Sequence, residues 1–183
     1  MPPHILAVCF DFGDTLVDEG SEVKDEEQTS LRGDLIPGTS EMLFELKRRG
    51  YRLALVADGR PGTYRNVLTQ HGLHELFEVF AVSELLNTLK PDRRMFVYAL
   101  EKLGIAERDY PRTVMVGNRL DRDVKGANQL RMISVWMNWS PRYAQAPADP
   151  SEEPRFTIRE PGELLPILSA LEAQEEGKPL TPD

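Results

Sequence analysis

Ile5-Leu-Ala-Val-Cys-Phe10 is a short unbroken apolar run, and Asp11-Phe-Gly-Asp-Thr15 follows it at once. A run with no polar alternation has no solvated face, so it reads as a strand covered on both sides, the habit of parallel sheets. Tyr51-Arg-Leu-Ala-Leu-Val-Ala57 has the same character and also ends on a carboxylate, Asp58, followed by Gly59. Between the two runs the spacing predicts one helix. It begins near Thr39 or Ser40 after Pro37-Gly38, buries Met42, Leu43 and Leu46, and stops at Gly50 behind the basic turn Lys47-Arg48-Arg49.

The alternation continues outward. A helix from about Thr63 to His71 closes on Gly72, Phe80-Ala-Val82 is a weaker strand, and a helix from Asp92 to Leu103 closes on Gly104. Thr113-Val-Met-Val116 is a strand, Arg122 to Leu130 a short helix, and Ile133-Ser-Val-Trp-Met137 a further strand. Strands alternating with helices predict an α/β fold, a Rossmann-like three-layer sandwich around a mainly parallel five-stranded sheet. The whole chain, 1–183, reads as a single domain. Its accessories are a short flap at about 17–36 and an irregular Pro-rich C-terminal arm at about 139–160. Pro161 to Ala173 reads as a final packing helix, and the last few residues as frayed. Asp18 to Glu27 is an acidic run with Lys24 its one basic residue, and reads as a solvated loop.

With 183 residues, 40% of them hydrophobic, the chain is long enough to bury a core. The 22 Lys and Arg against 30 Asp and Glu give a net charge of −8, which argues against a general nucleic-acid or anionic-membrane binder. The single cysteine, Cys9, excludes an internal disulfide and a Cys-rich zinc cluster, and reads as a buried small hydrophobe. The opening apolar run is too short for a signal-peptide core or a membrane span, so the expected location is the cytoplasm. Self-association is left open.

In an open parallel sheet the ligand sits beyond the carboxyl ends of the strands. The residues there are Asp11 to Thr15, Ala57-Asp58-Gly59, Lys90-Pro91, and Gly117-Asn118 through Asp123. Any one of these carboxylates, taken alone, reads as a loop cap. The series Val8-Cys-Phe-Asp11-Phe-Gly-Asp-Thr15, Val56-Ala-Asp-Gly59, Leu89-Lys90-Pro91-Asp92 and Val116-Gly117-Asn118-Arg-Leu-Asp-Arg-Asp123, in that order, closely resembles the haloacid dehalogenase-like hydrolase superfamily.

The resemblance implies a phosphatase in which Asp11 attacks phosphorus to form an aspartyl-phosphate while Lys90 screens the charge. It implies Mg²⁺ held by Asp11, the Gly13 carbonyl and Asn118, with Asp123 in support, and a phosphoryl pocket at Ala57, Asp58 and Gly59. The implied substrate is a small-molecule or macromolecular phosphate, since 17–36 is too short for a cap domain. The family pattern carries a second Asp as general acid where this chain has Gly13. That predicts poor turnover of simple alkyl leaving groups, because the missing acid is worth about 10²–10⁴-fold. Asp14 is one residue displaced and reads as a turn cap. Ala57 lacks the usual hydroxyl, and Asn118 replaces an acid. Two other readings stand beside the phosphatase: a catalytically silent binding domain, and a metal-independent 2-haloacid dehalogenase.

Other side chains near strand ends invite roles. Arg60, Arg119 and Arg122 are candidates for gripping a phosphate or carboxylate, or plain surface. Trp136, Trp139, Arg142 and Tyr143 form a rim, or pack the core and pin the arm. His4, His71 and His74 show no metal-ligand grouping.

Overall fold

The computed structural model describes residues 4–176, so the expectation of a frayed C-terminus lies outside the described residues. Six strands form one fully parallel sheet: β1 (Ala7–Phe10), β4 (Arg52–Ala57), β5 (Val79–Val82), β6 (Thr113–Gly117), β7 (Ile133–Met137) and β8 (Phe156–Ile158). Their spatial order is β5-β4-β1-β6-β7-β8. The chain thus builds outward in one direction from β1, then returns to build in the other.

Side chains alternate across the sheet as the pleat requires. Val8 and Phe10 of β1, with Leu53 and Leu55 of β4, face one core; Ala7, Cys9, Ala54 and Val56 face the other. The first core is closed by α1 (Thr39–Arg48), α2 (Pro61–Gln70) and α6 (Leu164–Glu176), which contribute Leu43, Leu46, Val67, Leu68, Leu164 and Leu168. The second is closed by α4 (Arg93–Lys102) and α5 (Lys125–Gln129), through Met95, Phe96, Leu100 and Ala127. Each large apolar side chain buried this way contributes about 1.5–3 kcal/mol. These are the three layers the apolar pattern predicts.

Two expectations are corrected. The sheet has six strands, not five: Phe156–Ile158 lies parallel to β7, with Val135 opposite Phe156 and Met137 opposite Ile158. Three residues following Pro154, with only Ile158 fully buried, carry too little pattern to be recognised as a strand. The arm is therefore irregular only in part. The acidic run is likewise not a plain solvated loop. It leads into a small antiparallel hairpin, β2 (Val23–Lys24) with β3 (Ser30–Arg32), packed against α2. Within it the Glu22 side chain is only 6% exposed.

Candidate active site

The strand order reverses at β1, between β4 and β6, and the crevice opens beyond the carboxyl ends there. Asp11 stands one residue past β1, its backbone N–H still donating to the Val116 carbonyl at 2.9 Å, so its carboxylate is held at the floor of the crevice. Lys90 arrives from the loop after α3 (Ser83–Leu86), ahead of a cis Lys90–Pro91 peptide. Its backbone N–H donates to Asp58 Oδ1 at 3.0 Å. Its Nζ donates to Asp11 Oδ1 at 2.7 Å, Asp123 Oδ1 at 2.6 Å and the Val56 carbonyl at 2.9 Å. All three donors of the ammonium are used, and the side chain is 2% exposed.

Asp123 reaches this cluster because a π-helical turn, Leu120–Val124, folds back onto the end of β6. Its Oδ2 accepts the Arg119 N–H at 3.0 Å. A Cβ at position 117 would overlap the Asp123 carboxyl, so the close approach requires glycine there. Burial, and then the nearby Asp11 charge, push Asp123 up to about 7. For Lys90, burial disfavours the charged form, but the attraction of Asp11, Asp123 and Asp58 outweighs it and the pKa is raised.

The crevice has a volume of about 370 Å³. Of the residues singled out in the sequence, Asp11, Gly13, Asp58, Gly59, Lys90 and Asn118 line it, together with Arg60, Arg119, Arg122 and Tyr143. Ala57 does not: its methyl is packed in the core at the last position of β4. Asp123 also stays behind the wall, 1% exposed, and touches the site through Lys90. The Gly59 N–H already donates to Ser83 Oγ at 2.8 Å.

A hard cation suits the oxygens that remain. The Asn118 side-chain amide faces the crevice and makes no hydrogen bond among the described residues, while its backbone carbonyl accepts the Trp136 Nε1–H at 3.1 Å. Asp11 Oδ2 has only a distant Thr15 hydroxyl, at 3.4 Å. A carboxylate, an amide oxygen and the Gly13 carbonyl at one crevice form a donor set of the kind Mg²⁺ accepts alongside water.

Some of the lining carried no sequence signal. Tyr64, packed edge-to-face on Phe12 at 4.9 Å, forms part of the wall. Glu19 and Glu22, from the acidic run, are two more, whereas Tyr143, one of the rim candidates, reaches over from the arm. Arg119 stacks over the Tyr143 ring at 4.4 Å while pairing with Asp121, and Arg122 pairs with Asp58 at 3.1 Å. Trp136 is buried, Trp139 packs against the first core, and Arg142 pins the arm to Asp14 and Asp18. Asp14 caps a turn, as expected, accepting the Glu19 N–H at 3.0 Å.

Comparisons with known proteins agree with this geometry. The chain is 30% identical over 138 residues to a glyceraldehyde 3-phosphate phosphatase of Methanopyrus kandleri, covering 75% of this chain and 56% of that one. It is 32% identical over 139 residues to a phosphoserine phosphatase of Thermus thermophilus, covering 76% and 52%. The chain thus spans about half the length of the curated relatives it matches. Among solved structures, a HAD phosphatase from Thermococcus onnurineus superposes with a TM-score of 0.72 at 21% identity, covering 89% of this chain and 97% of that one. The profile of the haloacid dehalogenase-like hydrolases matches residues 22–131, which hold Lys90, Asn118 and Asp123. With the sheet order and the Asp11–Lys90–Asp123 cluster, that match shows that this chain belongs to the haloacid dehalogenase-like hydrolase family.

Proposed function

We propose that this protein is a Mg²⁺-dependent phosphatase that cleaves a small phosphate ester or anhydride through an aspartyl-phosphate at Asp11. The observation that carries the reading is the Lys90 ammonium, 2.7 Å from Asp11 and 2.6 Å from Asp123, at the point where the sheet order reverses. Lys90 fixes the rotamer of the Asp11 carboxylate, leaves Oδ2 facing the crevice, and offsets the repulsion between that carboxylate and an incoming phosphate. Asp123 and the Val56 carbonyl hold Lys90 in turn. When bound at Asp11, the Gly13 carbonyl and Asn118, Mg²⁺ supplies positive charge to the phosphoryl oxygens.

A crevice of about 370 Å³ lies at the small end of ligand sites, which favours a metabolite-sized phosphate over a protein-borne one. The relatives named for glyceraldehyde 3-phosphate and phosphoserine support the same size class. The test is hydrolysis of an activated aryl phosphate with Mg²⁺ and with EDTA, by the wild type and by Asp11→Asn. Turnover is expected only with Mg²⁺. It should fall on the order of 10⁴-fold or more in the variant, the scale at which removing a covalent nucleophile acts. Equal, measurable rates in the two proteins would remove Asp11 as the nucleophile, and no turnover by either would leave the silent binding domain.

A further inference from the structure

Glu19 occupies the crevice wall beside the bare backbone of Gly13. A Cβ at Gly13 would stand 3.2 Å from Glu19 Oε2 and 3.6 Å from Glu19 Cδ, so a carboxylate fills the volume that a side chain at 13 would enter. Gly13 follows Asp11 by two residues, and Phe12 between them turns its ring into the core. Asp11, Gly13 and Glu19 all line the same crevice.

The Glu19 carboxylate is held in place from outside the sheet. The Tyr143 hydroxyl lies 2.9 Å from both carboxylate oxygens, and the Arg119 guanidinium covers the Tyr143 ring. The Glu19 backbone N–H is tied to Asp14. Every other carboxylate at or near the crevice is engaged by a cation: Asp11 and Asp123 by Lys90, Asp58 by Arg122, Glu22 by Lys24, Asp14 by Arg142. Among the described residues Glu19 alone of the crevice-lining carboxylates has no ion-pair partner.

We propose that Glu19 is the general acid and base of this site, with Tyr143 as the residue that positions it. The inference rests on the reading of Asp11 as nucleophile. In the first step an Asp11 oxygen bonds to phosphorus and the bond to the leaving oxygen breaks. That oxygen keeps the electron pair and takes the Glu19 proton, giving the free alcohol, the aspartyl-phosphate and a Glu19 carboxylate. In the second, water bonds to phosphorus, its proton passes to Glu19, and the bond from phosphorus to Asp11 breaks. Inorganic phosphate, the Asp11 carboxylate and protonated Glu19 result. An acid is thus present although residue 13 is glycine, and simple alkyl phosphates become substrates.

The experiment compares kcat/KM for an alkyl monophosphate and for p-nitrophenyl phosphate in the wild type, Glu19→Gln, Tyr143→Phe and Asp11→Asn, with Mg²⁺. Glu19→Gln is expected to lower the alkyl value about 10²–10⁴-fold and the aryl value less than about tenfold, because nitrophenolate leaves without a proton. Tyr143→Phe should move the same ratio in the same direction by a smaller factor, and it decides the matter if Glu19→Gln does not fold. An unchanged alkyl-to-aryl ratio in a folded variant would overturn the role of Glu19. So would a wild type that turns over the aryl ester and not the alkyl one. Asp11→Asn retaining the wild-type aryl rate overturns the nucleophile instead.

Discussion

Lys90 and Cys9 show how burial acts on two titratable groups with opposite outcomes. Lys90 is enclosed with two carboxylates that keep it charged, whereas Cys9 faces the second core among Ala54, Val56 and Met115, with no charge to stabilise a thiolate. Burial pushes the Cys9 thiol up from an ordinary 9.0 to about 12. Two outcomes are expected. The native protein should resist alkylation at pH 8 and react once unfolded in urea. Because the folded pKa is the higher one, the contribution of the neutral thiol is fully present below about pH 9 and is lost between pH 9 and 12 as the unfolded chain ionises. Melting temperatures across that window should therefore fall less steeply in Cys9→Ala than in the wild type. A parallel decline would show the thiol to be solvated.

At the level of elements, the contact between α4 and α5 is the tightest test of packing. A Cβ on Gly126 would overlap the Phe96 ring, which is fully buried. Alanine is favoured over glycine in a helix by about 1 kcal/mol. Forcing atoms into a filled core costs about 1–3 kcal/mol, so packing decides the sign. Gly126→Ala is expected to lower stability by about 1 kcal/mol in urea denaturation, against a gain if propensity dominated. The long elements were legible in the sequence for physical reasons. α1 and α4 carry four buried positions each at helical spacing and stop at Gly50 and Gly104, both in left-handed backbone. β8 and the hairpin of β2 and β3 were not, since segments of two or three residues show no period and owe their existence to a neighbour already in place.

Across the whole molecule, the same division separates the two halves of the site. Asp11 and Asn118 were legible because each follows a buried strand, and Lys90 because it stands with Pro91 just ahead of the helix α4. Tyr143 was legible as a rim candidate and Glu19 was not; their meeting was hidden because it joins an acidic loop to an irregular arm across 124 residues. Ala57 misled for a related reason: a strand's last residue can turn either way, and this one turns inward. The parts of the crevice come from both sides of the sheet reversal, with Asp11 and Lys90 themselves 79 positions apart. Turnover is therefore a gauge of global order. Rate and tryptophan fluorescence followed through the same urea series should trace one curve, and catalysis fading well before the spectroscopic transition would reveal a locally melting wall.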